Sequence, residues 1–215
     1  MVDDDQKPFL LGLTGSIGMG KSTVSRMFME EGIPVFDADQ VVHRLYSQGG
    51  DAVPLIGEHF PEAVVDGAVD RQRLSKFVVG NQVALKELED IVHPLVSRER
   101  RNWLLQYQEG GGHSVLLLDI PLLFETAAED MVDGVVVVSA PAEMQQARVL
   151  ARPGMTEERL KSILARQMPN EEKCQRANFV INTGVSLEET KEHVSALLKG
   201  LRGRKGTAYN MHFTK

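Results

Sequence analysis

A doubly wound α/β fold around a five-stranded parallel sheet is predicted by two features of the sequence. Short apolar runs are continuous instead of alternating, and helical stretches lie between them. A continuous run implies burial on both faces, as happens where helices cover both sides of a parallel sheet. The length agrees, since 215 residues suffice for one such domain and one inserted subdomain.

Taken in order, Phe9–Thr14 is an apolar run that breaks into glycines, the pattern of a buried strand. Residues 21–31 follow as a helix with Val24, Met27 and Phe28 on one face, stopped by Gly32. Ile33–Phe36 is the second strand, expected beside the first. Val115–Leu118, Val135–Val138 and Phe179–Ile181 supply the third, fourth and fifth. Between the second and third strands, about 47–112, apolar residues recur at three- and four-residue spacing (Leu74, Phe77, Val78; Leu85, Leu88, Ile91, Val92), with no clear strand. This segment is expected to be a helical insertion at the sheet edge, dividing the core into 8–46 and 113–200. A lid is expected at about 150–170. A last helix carries Leu187, Val194, Leu197, Leu198 and Leu201, and residues 203–215, rich in Gly, Arg and Lys at their start, are expected to be loose.

Bulk properties exclude several classes. Net charge is −6, so no basic surface suggests a nucleic-acid partner. No stretch approaches the roughly 18 apolar residues of a membrane span. Met1-Val2-Asp3-Asp4-Asp5 is acidic, unlike a secretory signal. The single cysteine, Cys174, cannot form an internal disulfide and suits a reducing compartment. A cytoplasmic location is expected.

Gly15-Ser16-Ile17-Gly18-Met19-Gly20-Lys21-Ser22 matches the phosphate-loop pattern G-x-x-x-x-G-K-[ST] in full, after a strand and at the start of a helix. The chemistry requires these residue types. Glycines let the backbone turn tightly and bring N–H groups to an anion, and the helix dipole adds to that field. Lys21 is placed to reach the β- and γ-phosphates of ATP, and the Ser22 hydroxyl to ligate Mg²⁺. The motif alone does not choose between switches, motors and metabolite kinases.

Asp37-Ala-Asp39 follows the second strand. Two carboxylates there could orient and deprotonate an acceptor alcohol, with Asp39 as base and Asp37 bracing it. Asp39 could equally cap a helix over Gln40–Tyr46, and the preceding phosphate loop favours catalysis. Val115–Asp119 has the form of a Walker B strand, so Asp119 is expected to hold a magnesium-bound water. Arg148 and Arg152 lie four apart before Pro153-Gly154. On a lid they would close over the triphosphate, with Arg152 at the hinge the stronger candidate; otherwise they form a solvated helix face.

Together these residues resemble the dephospho-coenzyme A kinases. The resemblance rests on Leu11–Thr23, Asp37-Ala-Asp39, His93-Pro94-Leu95, Pro121-Leu-Leu-Phe-Glu125, Ala165-Arg-Gln-Met-Pro169 and Ala177–Gly184, in order over about residues 9 to 200. It implies an adenylate-kinase-like core, a helical coenzyme-binding domain and a lid. It also implies ATP with Mg²⁺, and phosphorylation of the ribose 3′-hydroxyl of dephospho-coenzyme A. Carried over by position, the loop through Thr23 would bind ATP, Asn182 and Thr183 would lie near its adenine, and Asp39 would face the acceptor hydroxyl. His93, Leu122, Phe124 and Glu125 would form the acceptor pocket. Without the family, His-Pro reads as a helix break and Leu122 to Phe124 as plain core. Ser16 and Met19 replace the family's usual Gly and Ser, and Ile163 stands where many relatives carry a lid arginine.

Two other readings compete. A GTPase switch would need a guanine-selective Asn-Lys-x-Asp segment, which is missing from the sequence. A shikimate-kinase-like enzyme would carry a glycine triplet at the end of the third strand, whereas Gly110-Gly111-Gly112 precedes that strand.

Overall fold

The computed structural model describes residues 7–109 and 112–213. The acidic stretch Met1–Asp5 and the first two glycines of the triplet lie outside the described residues; Gly112 adopts a φ of +123°. The chain forms two compact units, Met1–Phe36 with Gly110–Lys215, and Asp37–Glu109.

The first unit is built on five strands: β1 (Phe9–Thr14), β2 (Val35–Asp37), β5 (Val115–Asp119), β6 (Gly134–Ser139) and β7 (Phe179–Asn182). β1 pairs in parallel with β5 (Leu11 opposite Leu117) and with β6 (Gly12 opposite Val135), and β6 pairs in parallel with β7. Every residue of β1 and β5 is buried, as continuous apolar runs require. The order is β2-β5-β1-β6-β7. This corrects the expectation that the second strand adjoins the first. β5 intervenes, its Leu117 N–H donating to Pro34 O at 2.9 Å. Sequence order carries no information about that insertion, because β2 and β5 are separated by the whole second unit.

Helix α1 (Lys21–Glu30) packs Val24, Met27 and Phe28 inward. α6 (Ala142–Leu150), α7 (Glu157–Leu164) and α8 (Asn170–Arg176) follow β6, and α9 (Leu187–Leu201) follows β7. α9 begins with a capping box in which Ser186 Oγ accepts from Glu189 N–H while Glu189 accepts from Ser186 N–H.

The tail expected to be loose has buried residues at Gly206, Ala208, Tyr209 and His212, whereas residues 203–205 are exposed. Tyr209 is 1% exposed, and burial pushes its hydroxyl pKa up to about 12. Asp133 provides the anchor. Its Oδ1 accepts from the N–H groups of Thr207 (2.6 Å) and Ala208 (2.8 Å), and its Oδ2 from Leu10 N–H (2.8 Å). The Gly-Arg-Lys composition at 203–206 concealed this, because the apolar anchor Ala208-Tyr209 is too short to show periodicity. Asp133→Ala would leave three backbone donors unpaired, a cost on the order of 3 kcal/mol. Thermal denaturation should show a clearly lower Tm, and an unchanged Tm would mean that this segment does not depend on Asp133.

The second unit comprises α2 (Ala38–Tyr46), α3 (Ala52–His59), β3 (Val64–Val65), β4 (Ala68–Val69), α4 (Arg71–Val78) and α5 (Gln82–Glu109). α5 packs on α2, α3 and α4. Leu45, Ile56, Phe60, Leu74, Val92 and Leu104 are among its buried residues. The antiparallel β3–β4 hairpin departs from the all-helical expectation. Its turn is Asp66-Gly67, with φ of +50° and +74°, a pairing that favours two-residue hairpins. α5 also runs through Pro94. The proline lacks one N–H donor, but buried Val92 and Leu95 on either side hold the helix together, so His93-Pro94 does not end it.

Candidate active site

The phosphate loop joins the central strand β1 to α1, and close packing dictates its glycines. A Cβ on Gly15 would sit 2.4 Å from Val138 Cγ2, and one on Gly18 2.5 Å from Val149 Cγ2. Gly18 and Gly20 take φ of +79° and +87°, conformations costly for other residues. Gly20 is the N-cap of α1 and no side chain caps that helix. Thr23 N–H turns back to Gly20 O at 3.1 Å, and the N–H groups of Lys21 and Ser22 are left for a ligand, with the positive end of the dipole behind them.

Met19 and Thr183 brace the loop. Met19 is 2% exposed; its Sδ accepts from Ala140 N–H at 3.1 Å, and Thr183 Oγ1 donates to Met19 O at 2.8 Å. Met19 is thus a core anchor of the loop. Ile17 is held through both its backbone N–H and its carbonyl. Gln145 Nε2 donates to Ile17 O (2.7 Å), and Ile17 N–H donates to Gln167 Oε1 (3.1 Å).

Lys21 Nζ lies 2.5 Å from Asp119 Oδ1, and Asp119 is 2% exposed at the carboxyl end of β5. The register sets this pair, because Asp119 lies opposite Leu13 on β1. Ser22 is exposed in the first turn of α1. Among the described residues no cluster of three or more His, Cys, Asp or Glu could hold a metal. The available donors, one hydroxyl and one carboxylate, suit a Mg²⁺ ion that keeps waters and shares phosphate oxygens.

A cavity of about 370 Å³ opens beside the loop, lined by Gly18, Gly20, Thr23, Arg148, Arg152 and Thr183 with three residues of the β7–α9 region. Arg148 is fixed there, its Nη2 donating to Thr183 O at 2.7 Å. Arg152 is exposed, just beyond the last turn of α6. Asn182 does not line the cavity; its Oδ1 accepts from Gly184 N–H at 2.8 Å and shapes the turn.

On the loop after β5, Leu122 is 41% exposed whereas Phe124 is 5% exposed, with the Arg176 guanidinium 4.8 Å above its ring. Glu125 Oε1 lies 2.8 Å from the Nζ of fully buried Lys173 and accepts from Met168 N–H at 2.9 Å. Burial alone would raise the Glu125 carboxyl pKa, but Lys173 and the N–H donors outweigh it and hold it below the usual range.

In the second unit, Asp37 caps α2 through a 3.0 Å bond from Gln40 N–H. The cap is therefore Asp37, not Asp39, and the helix starts two residues earlier than the capping alternative placed it. Asp39 lies exposed in the first turn. His93 is exposed on α5. Sequence reasoning gave no role to Gln145, Gln167 or Lys173; only the position of Gln167 within the quoted Ala165–Pro169 element marked it.

The sequence model of the dephospho-CoA kinase family matches residues 9–189. A dephospho-CoA kinase of Mesorhizobium japonicum is 54% identical over 198 residues, covering 92% of this chain and 99% of the relative. That of Brucella melitensis is 53% identical over 199 residues, covering 93% and 98%. The crystal structure of TT1252 from Thermus thermophilus superposes with a TM-score of 0.80 at 37% identity, covering 91% of this chain and 99% of that one. A shikimate kinase of Acinetobacter baumannii shares the fold alone, with a TM-score of 0.51 at 17% identity over 92% of this chain and 94% of its own. With the family model spanning both units and the relatives aligned almost end to end, the chain belongs to the dephospho-CoA kinase family.

Proposed function

We propose that the protein transfers the γ-phosphoryl group of ATP to the ribose 3′-hydroxyl of dephospho-coenzyme A. One observation carries the nucleotide half of this reading. An uncapped helix start, with Lys21 in its first turn, opens on a cavity lined by Arg148 and Arg152. Family membership supplies the acceptor.

Transfer is direct and in line. The acceptor oxygen forms a bond to Pγ, the bond from Pγ to the β–γ bridging oxygen breaks, and ADP leaves with that electron pair. Asp39 orients the hydroxyl and takes its proton. The loop amides and Lys21 neutralise charge on the β and γ oxygens, and Arg152 on the lid completes that neutralisation at Pγ. Ser22 and Asp119 would hold Mg²⁺, which when bound withdraws charge from the β- and γ-phosphates. His93, Leu122 and Phe124 belong to the acceptor side, with Asp37 supporting Asp39 through the start of α2. Closure of the lid excludes water that would otherwise hydrolyse ATP. We also place the protein in the cytoplasm, a reading supported by its lone free thiol, Cys174.

The test is a coupled assay of ADP release with a panel of acceptors. Turnover should require dephospho-coenzyme A and should prefer ATP to GTP. Stimulation by shikimate but not by dephospho-coenzyme A would overturn the assignment.

A further inference from the structure

The phosphate loop has a support that lies outside the motif. Gln145, which holds the Ile17 carbonyl, sits on α6 and is 7% exposed, so a regular helix fixes it. Gln167, which holds the Ile17 N–H, sits beyond the end of α7 and is tied back to it through its own N–H, which donates to Leu164 O at 3.1 Å. It lies in the irregular segment 165–169 between α7 and α8. A side chain on such a segment positions its partner well only if the segment itself is pinned, because otherwise ordering it costs backbone entropy.

Glu125 pins the far side of the segment, past Gln167. Its Oε1 takes the Met168 N–H, one residue past Gln167, and pairs with Lys173 on α8. Lys173 is 0% exposed, and a buried ammonium requires a counter-charge. Glu125 is the carboxylate within ion-pair distance among the described residues. The second oxygen of Glu125, Oε2, is buried without a hydrogen-bond partner and the side chain is 15% exposed, so the carboxylate is turned mostly inward.

We infer that Glu125 is a positioning residue for the phosphate loop, acting through Met168, Lys173 and Gln167 on the Ile17 peptide, and that it does not contact the acceptor. The resemblance alone implied the opposite role, a place in the acceptor pocket. This inference rests on the kinase reading above, and it ties the loop after β5 to the loop that receives ATP.

The experiment uses the full chain and measures ATP affinity by calorimetry alongside kcat and the KM of each substrate. Gln167→Met and Glu125→Gln should each weaken ATP binding and lower kcat, by up to about 100-fold, while leaving KM for dephospho-coenzyme A unchanged. Combined, they should be no worse than the more severe single variant, since both cut one chain of contacts. Adding Lys173→Met to Glu125→Gln should recover much of the loss. The new amide can still accept from Met168 N–H, and no buried charge is left unpaired. A raised acceptor KM with intact ATP affinity in Glu125→Gln would overturn the inference. So would failure of Lys173→Met to rescue. If Glu125→Gln does not fold, Gln167→Met, at a half-buried position, decides the matter: normal ATP binding there refutes the inference. Lack of turnover by the unaltered chain would sink the kinase reading, while the ATP affinities of the variants would still decide the role of Glu125.

Discussion

Lys21→Ala is expected to lower kcat at least a hundredfold, the scale on which a single pre-organised charge acts at a developing oxyanion. The ammonium is the one cation within the loop itself, in the first turn of an uncapped helix. The substitution also has a structural cost. Asp119 is 2% exposed and pairs with Lys21 at 2.5 Å, so removing the lysine takes the ammonium counter-charge from a buried carboxylate, at about 3 kcal/mol. The two effects can be separated. Adding Asp119→Asn to Lys21→Ala should restore much of the Tm but none of the turnover. Near-normal kcat in a folded Lys21→Ala variant would contradict the role of Lys21.

Asp39→Asn should slow transfer by about 10²–10⁴-fold, the usual contribution of a general base, with ATP affinity nearly intact. The structure makes this a clean substitution. Asp37, and not Asp39, caps α2, and Asp39 is exposed, so the asparagine leaves the helix start undisturbed. The residues lining the cavity beside the phosphate loop all belong to the other compact unit. Steady-state kinetics together with ATP titration would check the split. Wild-type turnover in the asparagine variant would remove Asp39 from the mechanism.

Much of this was legible in the sequence because it is local. The five strands announce themselves as continuous apolar runs, and the phosphate loop as glycines at fixed spacing before a lysine. Gly15 and Gly18 are needed because Val138 and Val149 crowd them, and the motif records that crowding without naming the neighbours. What was not legible depends on distant pairing. The place of β5 between β2 and β1 joins segments on either side of the second unit. The Asp133 anchor ties β1 to Thr207 and Ala208. The two glutamines on Ile17 come from more than a hundred residues away, at separations of 128 and 150.

Two further features are local. Val-Val-Asp66-Gly67-Ala-Val is a hairpin pattern, hidden by the helical periodicity around it. Asp37 is the residue that immediately precedes a helix beginning at Ala38, a natural cap position. The paired carboxylates drew attention to catalysis at both positions, whereas the structure gives the first a mechanical task.

The most direct measurement is ³¹P NMR of the product formed from ATP and dephospho-coenzyme A. A new phosphomonoester resonance coupled to the ribose H3′ proton should appear in step with ADP. Inorganic phosphate as the sole new species, or a phosphoryl group at another hydroxyl, would contradict it.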